Sequence, residues 1–588
     1  MPMLRKLIIL ATFLWPLLAN AQQLTVTYGT TGMQAYIGED LWVPVAASCA
    51  QHLCIRFMHV PLATKNVYVN QRLGGEPLSP IADWDDISFL EPIPNAPLGY
   101  TSQSLLAFED LTLLPLTPYD PYYGEAFARF KVRVVYDPSL IGQTRSDVFL
   151  AGSHPINGNF LFGDCDGQHE YSNVTYIYRS VTFLAPYAIG TGIGVEGNQQ
   201  NHIDTHIHNG NSYRLEDMTR RVDTNPHGHN GQMGSDQSIA TYTYNGQNPG
   251  AVITDTDNNW IDVNQRPGVD AQVYAGLFYD YLLWTHGRNS YDDAGHSLIS
   301  TVECADMQNR SNWLNLQQRV AYGTSDADHH SWAGCLEVTA HEFTHGITER
   351  TSHLLYEKES GALDEAFCNM MGVTARDVIR NHPPAPPSWW EIGWHFNING
   401  PAAIDMQSPH NTSQPDFYQE PGYWYDITNC IPDPDLNDYC GVHTNEGVPN
   451  RMFYLLAAGG QSSHNGVVVE GIGLEDAMNV MYLANSYSWS LHTNTLMKAR
   501  EGCIDAAEAL GGRDWEIQVA NAWNAVGVCD NCVYVPGDVN NSGVANGVDV
   551  TYLWNFLFGQ GPRLPFLAHC HIKTRLHASW PPIIMAIV

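Results

Sequence analysis

Along residues 22–185, apolar and polar positions alternate in short runs, as in Phe130-Lys-Val-Arg-Val-Val-Tyr136, within sequence rich in Thr, Val, Tyr, Pro and Gly. A period of two predicts half-buried strands, so this stretch reads as a β-rich prosegment or accessory domain. Strand-like runs and Gly/Asn/Asp turns continue through 186–340. Helical spacing first appears around Asp270 to Trp284. From 336 onward it recurs over 336–349, 361–380, 445–458, 474–485, 493–510 and 514–525. A β-rich lobe over 186–340 followed by a helical lobe over 341–529 predicts a two-lobed α+β plan, with a cleft where the lobes meet.

Composition adds a compartment. Arg5 and Lys6 precede an apolar run from Leu7 to Leu18, and Ala19-Asn20-Ala21 supplies small residues. That is the pattern of a signal peptide over 1–21, so a secreted, extracellular chain is expected. The run is too short to span a membrane. With 28 Lys+Arg against 61 Asp+Glu, the formal net charge is −33. Such a surface repels nucleic acid and anionic membranes and suits a soluble monomer. It also suits calcium, which takes clustered oxygen ligands. Twelve cysteines in an exported chain predict disulfides, with Cys430 and Cys440, Cys49 and Cys54, and Cys503 and Cys529 as pairs able to close loops.

The chemistry concentrates in Val338-Thr-Ala-His341-Glu342-Phe-Thr-His345-Gly-Ile347. On a helix, His341 and His345 share one face and can reach one ion. Leu336, Ala340, Phe343 and Ile347 gather on the other face, which can be buried. Glu342 lies beside the histidines, within reach of a water on the metal. Twenty residues beyond His345, Glu365 sits on a second predicted helix and completes a two-histidine, one-glutamate zinc set with a position open for water.

These motifs resemble the thermolysin family of neutral metallopeptidases over roughly 186–529. Tyr274-Ala-Gly-Leu-Phe-Tyr-Asp-Tyr281, Asn289-Ser-Tyr-Asp292, Tyr322-Gly323 and Trp390-Glu-Ile-Gly393 resemble family segments in the right order. So do Gly441-Val-His443-Thr-Asn445 and Ala522-Trp-Asn-Ala-Val-Gly527. The resemblance implies a two-lobed zincin with one catalytic Zn2+ that cuts internal bonds of protein or peptide substrates. Glu342 would be the general base. His443 and Tyr356 would stabilise the oxyanion, and Asp438 would orient His443. Asn312 and Trp313 would hold the substrate backbone, and Val338, Ile392 and Ala403 would line an apolar primed-side pocket.

The chain departs from the family pattern in places. Asn369 stands where the family has an aspartate bonded to the first zinc histidine, and Ile404 aligns with that aspartate's arginine. Of the family's paired calcium site, Glu337 and Glu391 persist, while other acidic positions align with Arg376, Trp389 and Trp394. Asp255-Thr-Asp257-Asn-Asn259 resembles a separate calcium loop.

Within 536–562, Asp538, Asn540, Ser542, Asn546 and Asp549 fit a calcium loop that resembles a single dockerin-type repeat, which implies a cohesin-type partner. A basic tail over 563–588 follows it. The histidines at 202, 206, 208, 227 and 229 read as solvated surface, and His329 and His330 stay unassigned. An aminopeptidase sharing the zinc motif usually has one residue fewer between the second histidine and the glutamate. The alternative from another class is a non-catalytic extracellular binding protein on a degenerate peptidase scaffold.

Overall fold

Leu24, Val26 and Tyr28 are fully buried on their strand, whereas Thr25 and Thr27 between them are not. The same alternation runs through Asp40–Ser48 and Ala126–Val134, where Phe130, Val132 and Val134 face inward. The computed structural model describes residues 24–48, 55–78, 86–90, 102–109, 126–151, 161–164, 174–208, 212–220, 233, 237–246, 250–380, 389–398 and 400–529. The signal peptide, the 536–562 repeat, the basic tail, His227, His229, Cys49 and Cys54 lie outside them.

Two units result. The first holds the described residues up to Ile189 together with Thr205–Arg214 and Thr254–Asn258. One of its sheets orders Val174–Tyr178, Leu24–Tyr28, Asp40–Ser48, Ala126–Val134 and Val69–Pro77. Another orders Phe149–Ala151, Ile55–Thr64, Ser102–Glu109 and Asp86–Leu90. Buried residues of both sheets belong to one apolar cluster, so the predicted β-rich region is a sandwich. His206, expected at the surface, is buried here, its Nε2 2.8 Å from Glu39 Oε1. His208 Nδ1 meets the other oxygen of that carboxylate at 3.1 Å. Glu39 is too distant in sequence for the pattern around the histidines to reveal it.

The second unit comprises Gly190–Asp204, Leu215–Ile253 and the chain from Asn259 onward. Its five-stranded sheet orders Glu216–Asp217, Ile239–Thr243, Leu298–Cys304, Arg319–Gly323 and Ser311–Leu314. The last strand pairs antiparallel and forms an edge, with Asn312 opposite Ala321. The helices are α1 (Arg266–His286), α2 (Leu336–Arg350), α3 (Lys358–Ile379), α4 (Asp438–Asn445), α5 (Gly447–Ala458), α6 (Leu474–Leu483) and α7 (Leu496–Ala525); all but α4 follow the predicted periodicity. The two final predicted helices are one run interrupted at Gly512, where φ is +66°. None of the described helices is long and apolar enough to cross a membrane.

Packing explains why α2 and α3 are so deeply set. Leu336, Ala340, Phe343 and Ile347 are all buried, as the helical wheel requires. Each large apolar side chain so placed contributes about 1.5–3 kcal/mol. A Cβ at Gly346 would stand 2.9 Å from the Trp313 ring, so only glycine admits the edge strand this close to α2. Arg220 is buried among Asp204, Asp217 and Asp280, with Nη2 2.8 Å from Asp280 Oδ2. A buried guanidinium needs such pairing to offset its desolvation.

Two further expectations about cysteines resolve. Cys430 and Cys440 form a disulfide. Cys503 is not bonded to Cys529: it stays a buried thiol, its sulfur 3.8 Å from Met481 Sδ.

Candidate active site

Two helices bring the predicted ligands together. From α2, His341 Nε2 and His345 Nε2 lie 3.2 Å apart. From α3, Glu365 Oε2 is 3.2 Å from His341 Nε2, and Oε1 is 3.6 Å from His345 Nε2. A tetrahedron with metal–ligand bonds of about 2.0–2.1 Å has edges of about 3.3 Å. The residues therefore fit a zinc ion.

The outer ring nitrogens are fixed too. His341 Nδ1 lies 2.9 Å from Asn369 Oδ1, so it carries the proton and donates, leaving the Nε2 lone pair for a metal. Asn369 Nδ2 in turn donates to Glu446 Oε2 at 2.6 Å. Gln414 Nε2 donates to Glu446 Oε1 at 2.7 Å and to the His443 carbonyl, also at 2.7 Å. His345 Nδ1 faces Asp364 Oδ1 at 3.3 Å, with the Cys368 sulfur at 3.3 Å from the same nitrogen.

The expected oxyanion partners also converge. His443 Nδ1 bonds Asp438 Oδ1 at 2.6 Å, and the His443 backbone N–H donates to Asp438 Oδ2 at 2.9 Å. Tyr356 Oη lies 3.3 Å from His443 Nε2 and donates to Glu365 Oε1. The turn that sets this geometry is unusual. Asp438, Tyr439 and Cys440 have φ of +52°, +50° and +70°, ahead of Gly441 at +75°. Non-glycine residues in the left-handed region cost about 1 kcal/mol or more each. Asn437 Oδ1 caps the turn from the Cys440 N–H at 2.9 Å, and the disulfide anchors it.

Charges in the site are strongly perturbed. Burial disfavours charge on His345, yet Glu365 and Asp364 hold its pKa up to about 9. Burial likewise opposes the charge on Glu365, but His443 and His345 keep its carboxyl well below the ordinary range. His443 is held well above its usual value, burial being outweighed by Glu365 and Asp438. Burial, then the nearby Glu365 charge, pushes Glu446 up to about 8.

A cleft of about 510 Å³ opens over these groups, lined by Asn312, Trp313, His341, Glu342, His345, Tyr356, Glu365, Tyr439 and His443 among others. Asn312 and Trp313 line this cleft from the edge strand Ser311–Leu314. Val338, Ile392 and Ala403 are not among the lining residues. Val338 and Ile392 are packed in the interior, and the Ala403 N–H donates to the Ile392 carbonyl at 3.1 Å.

At Glu337 and Glu391, where the resemblance implies calcium, the structure places an arginine. The buried Arg376 guanidinium lies 3.2 Å from Glu337 Oε1 and donates to the carbonyls of Glu391 at 2.9 Å and Trp389 at 2.6 Å. A cation supplied by the chain thus faces Glu337, one of the carboxylates that the resemblance gives to calcium. Asp255 Oδ1 accepts the backbone N–H groups of Asp257 and Asn258, both at 2.8 Å, which is the bonding of a polar turn. Asn259 Oδ1 accepts from the Thr191 hydroxyl at 3.3 Å.

Sequence reasoning missed Glu446, Gln414, Asp364 and Cys368. Asp364 and Cys368 flank Glu365 at one and three residues, so helical spacing could have flagged them. Glu446 and Gln414 come from separate segments, and no local pattern links them to Asn369.

Two histidines four apart on one helix, a glutamate beside them and a third ligand from the next helix define a metallopeptidase-type zinc centre. Residues 189–349 match the family model described as thermolysin metallopeptidase, catalytic domain, and residues 352–528 match its alpha-helical domain. Together these cover more than half of the chain, which belongs to the thermolysin metallopeptidase family.

The chain is 34% identical over 347 residues to a bacillolysin of Bacillus cereus, covering 58% of this chain and 55% of that protein. It is 33% identical over 350 residues to a thermolysin of Bacillus sp. (strain EA1), covering 58% and 57% respectively. The match thus spans little more than half the length of these relatives. Among solved structures, a precursor of protealysin from Serratia proteamaculans is 24% identical, with 50% of this chain and 89% of that chain covered and a TM-score of 0.40. A non-cellulosomal cohesin from Archaeoglobus fulgidus is 15% identical over 28% of this chain and 92% of its own, with a TM-score of 0.19. Those scores are low, and the family assignment rests on the sequence matches.

Proposed function

We propose that the chain is a secreted zinc-dependent endopeptidase that hydrolyses internal bonds of protein or peptide substrates. The convergence of His341, His345 and Glu365 beside Glu342 and the His443–Tyr356 pair carries this reading. Zinc held by the first three residues would supply Lewis acidity toward water and the scissile carbonyl. Glu342 takes a proton from the attacking water and passes it to the leaving amine. His443, charged and oriented by Asp438, donates from Nε2 to the developing oxyanion, and the Tyr356 hydroxyl donates beside it. Substrate lies as an added strand along Ser311–Leu314, with Asn312 meeting its backbone. The resemblance implies an apolar residue on the primed side of the cut, but Val338, Ile392 and Ala403 lie outside the lining of the cleft and do not support that preference.

Casein hydrolysis tests the reading. The wild type should cut, a zinc chelator should stop it, and Glu342→Gln should be inactive while keeping its zinc. A wild type that cuts nothing, or cuts equally well without zinc, favours the non-catalytic binding protein instead.

A further inference from the structure

A second set of metal-type donors lies outside the catalytic centre. His410 Nε2 is 3.0 Å from Glu420 Oε2 and 3.5 Å from Asp416 Oδ1. His464, from the turn between Gly460–Gln461 and Val468–Val469, places its Nε2 2.6 Å from the same Asp416 oxygen and 3.9 Å from Glu420 Oε1. These separations bracket the 3.2–3.6 Å among the catalytic ligands and the tetrahedral edge of about 3.3 Å.

From this we infer that His410, Asp416 and Glu420, with His464 bracing Asp416, form a second metal site for a divalent transition-metal ion such as zinc. An imidazole with two carboxylates is a mixed nitrogen–oxygen donor set, which suits zinc or cobalt better than calcium. Both carboxylates are largely buried, at 16% and 11% exposure, and among the described residues neither has a lysine or arginine partner. Two carboxylates facing the same imidazole favour positive charge between them, although the Asp416 backbone N–H also donates to Glu420 Oε2 at 3.1 Å. The rings are braced as ligand rings need to be. His410 stacks on Tyr423 with centroids 4.0 Å apart, and His464 stacks on Phe417 at 4.6 Å.

The site gives the ion a structural role. Gln414 lies between His410 and Asp416 and holds the His443 carbonyl and Glu446. Tyr418, between Asp416 and Glu420, bonds Val526 through its backbone N–H. A metal here pins the segment that supports the oxyanion histidine.

Metal content of the purified full-length protein, measured by mass spectrometry after equilibration with zinc, tests the site. The wild type should hold two zinc ions, His345→Ala one, and His410→Gln with His464→Gln one. Loss of all zinc in His345→Ala, or undiminished zinc in the double variant, overturns the second site. Equal zinc in His345→Ala and wild type would instead remove the catalytic assignment. Should His345→Ala misfold by circular dichroism, the wild type is stripped of metal and titrated with cobalt instead. Two equivalents of tetrahedral cobalt, falling to one in the double variant, support the site, and equal cobalt in both overturns it.

Discussion

Asn369 holds His341 and Glu446 at once, accepting from the imidazole at 2.9 Å and donating to the carboxylate at 2.6 Å. Turning the amide over would lose both bonds, so its neighbours fix its orientation. The carboxyl group that the resemblance places next to the first zinc histidine is here one side chain further away, on Glu446, whose pKa is pushed up to about 8. A neutral amide connects them.

Glu446→Ala should therefore weaken the catalytic metal. It leaves the buried donors of Asn369 and Gln414 without their acceptor, at about 1–3 kcal/mol each. Zinc affinity at the catalytic centre should fall by about tenfold or more. Competition against a chromophoric chelator measures this, and an affinity equal to wild type would show that the relay does not hold His341.

The oxyanion pair gives a pH prediction. His443 donates only while protonated, and Asp438 is one of the two carboxylates that keep it so. Asp438→Asn lowers that pKa, so the alkaline limb of the kcat profile should move to lower pH. His443→Ala should reduce kcat by about a hundredfold or more with little change in KM. Profiles on a defined peptide decide, and an unmoved alkaline limb would assign that ionisation to another group.

Asp270 gives a stability test. Burial, partly offset by the Val195 N–H at 2.7 Å and Gln200 Nε2 at 2.8 Å, pushes its carboxyl up to about 6. The unfolded chain releases this proton near pH 4, so between about pH 4 and 6 the folded state binds more protons. Stability is lost across that window as pH rises, by an amount on the order of 3 kcal/mol. Asp270→Asn, made in a Glu342→Gln background to prevent autolysis, should gain on its parent between pH 4 and 7 in urea unfolding. A constant difference would place the titration elsewhere.

The Cys430–Cys440 bond spans ten residues and anchors the left-handed turn. Closing so short a loop is worth about 2–3 kcal/mol on the chain-entropy account. Cys430→Ser with Cys440→Ser should lower kcat more than it lowers zinc content, because Asp438 and His443 lose their setting while His341, His345 and Glu365 do not. Equal losses in both would mean that the turn supports the whole lobe.

Helical spacing made α2 and α3 legible, and with them the ligand trio, because four-residue intervals fix which side chains share a face. The order of the motifs placed His443 and Asp438. The Asn369–Glu446–Gln414 relay could not be read, since its members come from separate segments and meet only in the folded lobe. Arg376 was visible as an oddity of charge, but its three partners come from α2 and from the segment after α3. His206 shows the same limit: its burial depends on Glu39, more than a hundred residues earlier.

Arg376 has a consequence for life in a medium of varying composition. A dissolved ion occupies its site only as far as its concentration allows, and dilution or a chelator empties it. The guanidinium joining Glu337 to the Glu391 and Trp389 carbonyls cannot diffuse away. At this joint the counter-ion is part of the protein's own covalent structure, so neither dilution nor a chelator can strip it from Glu337.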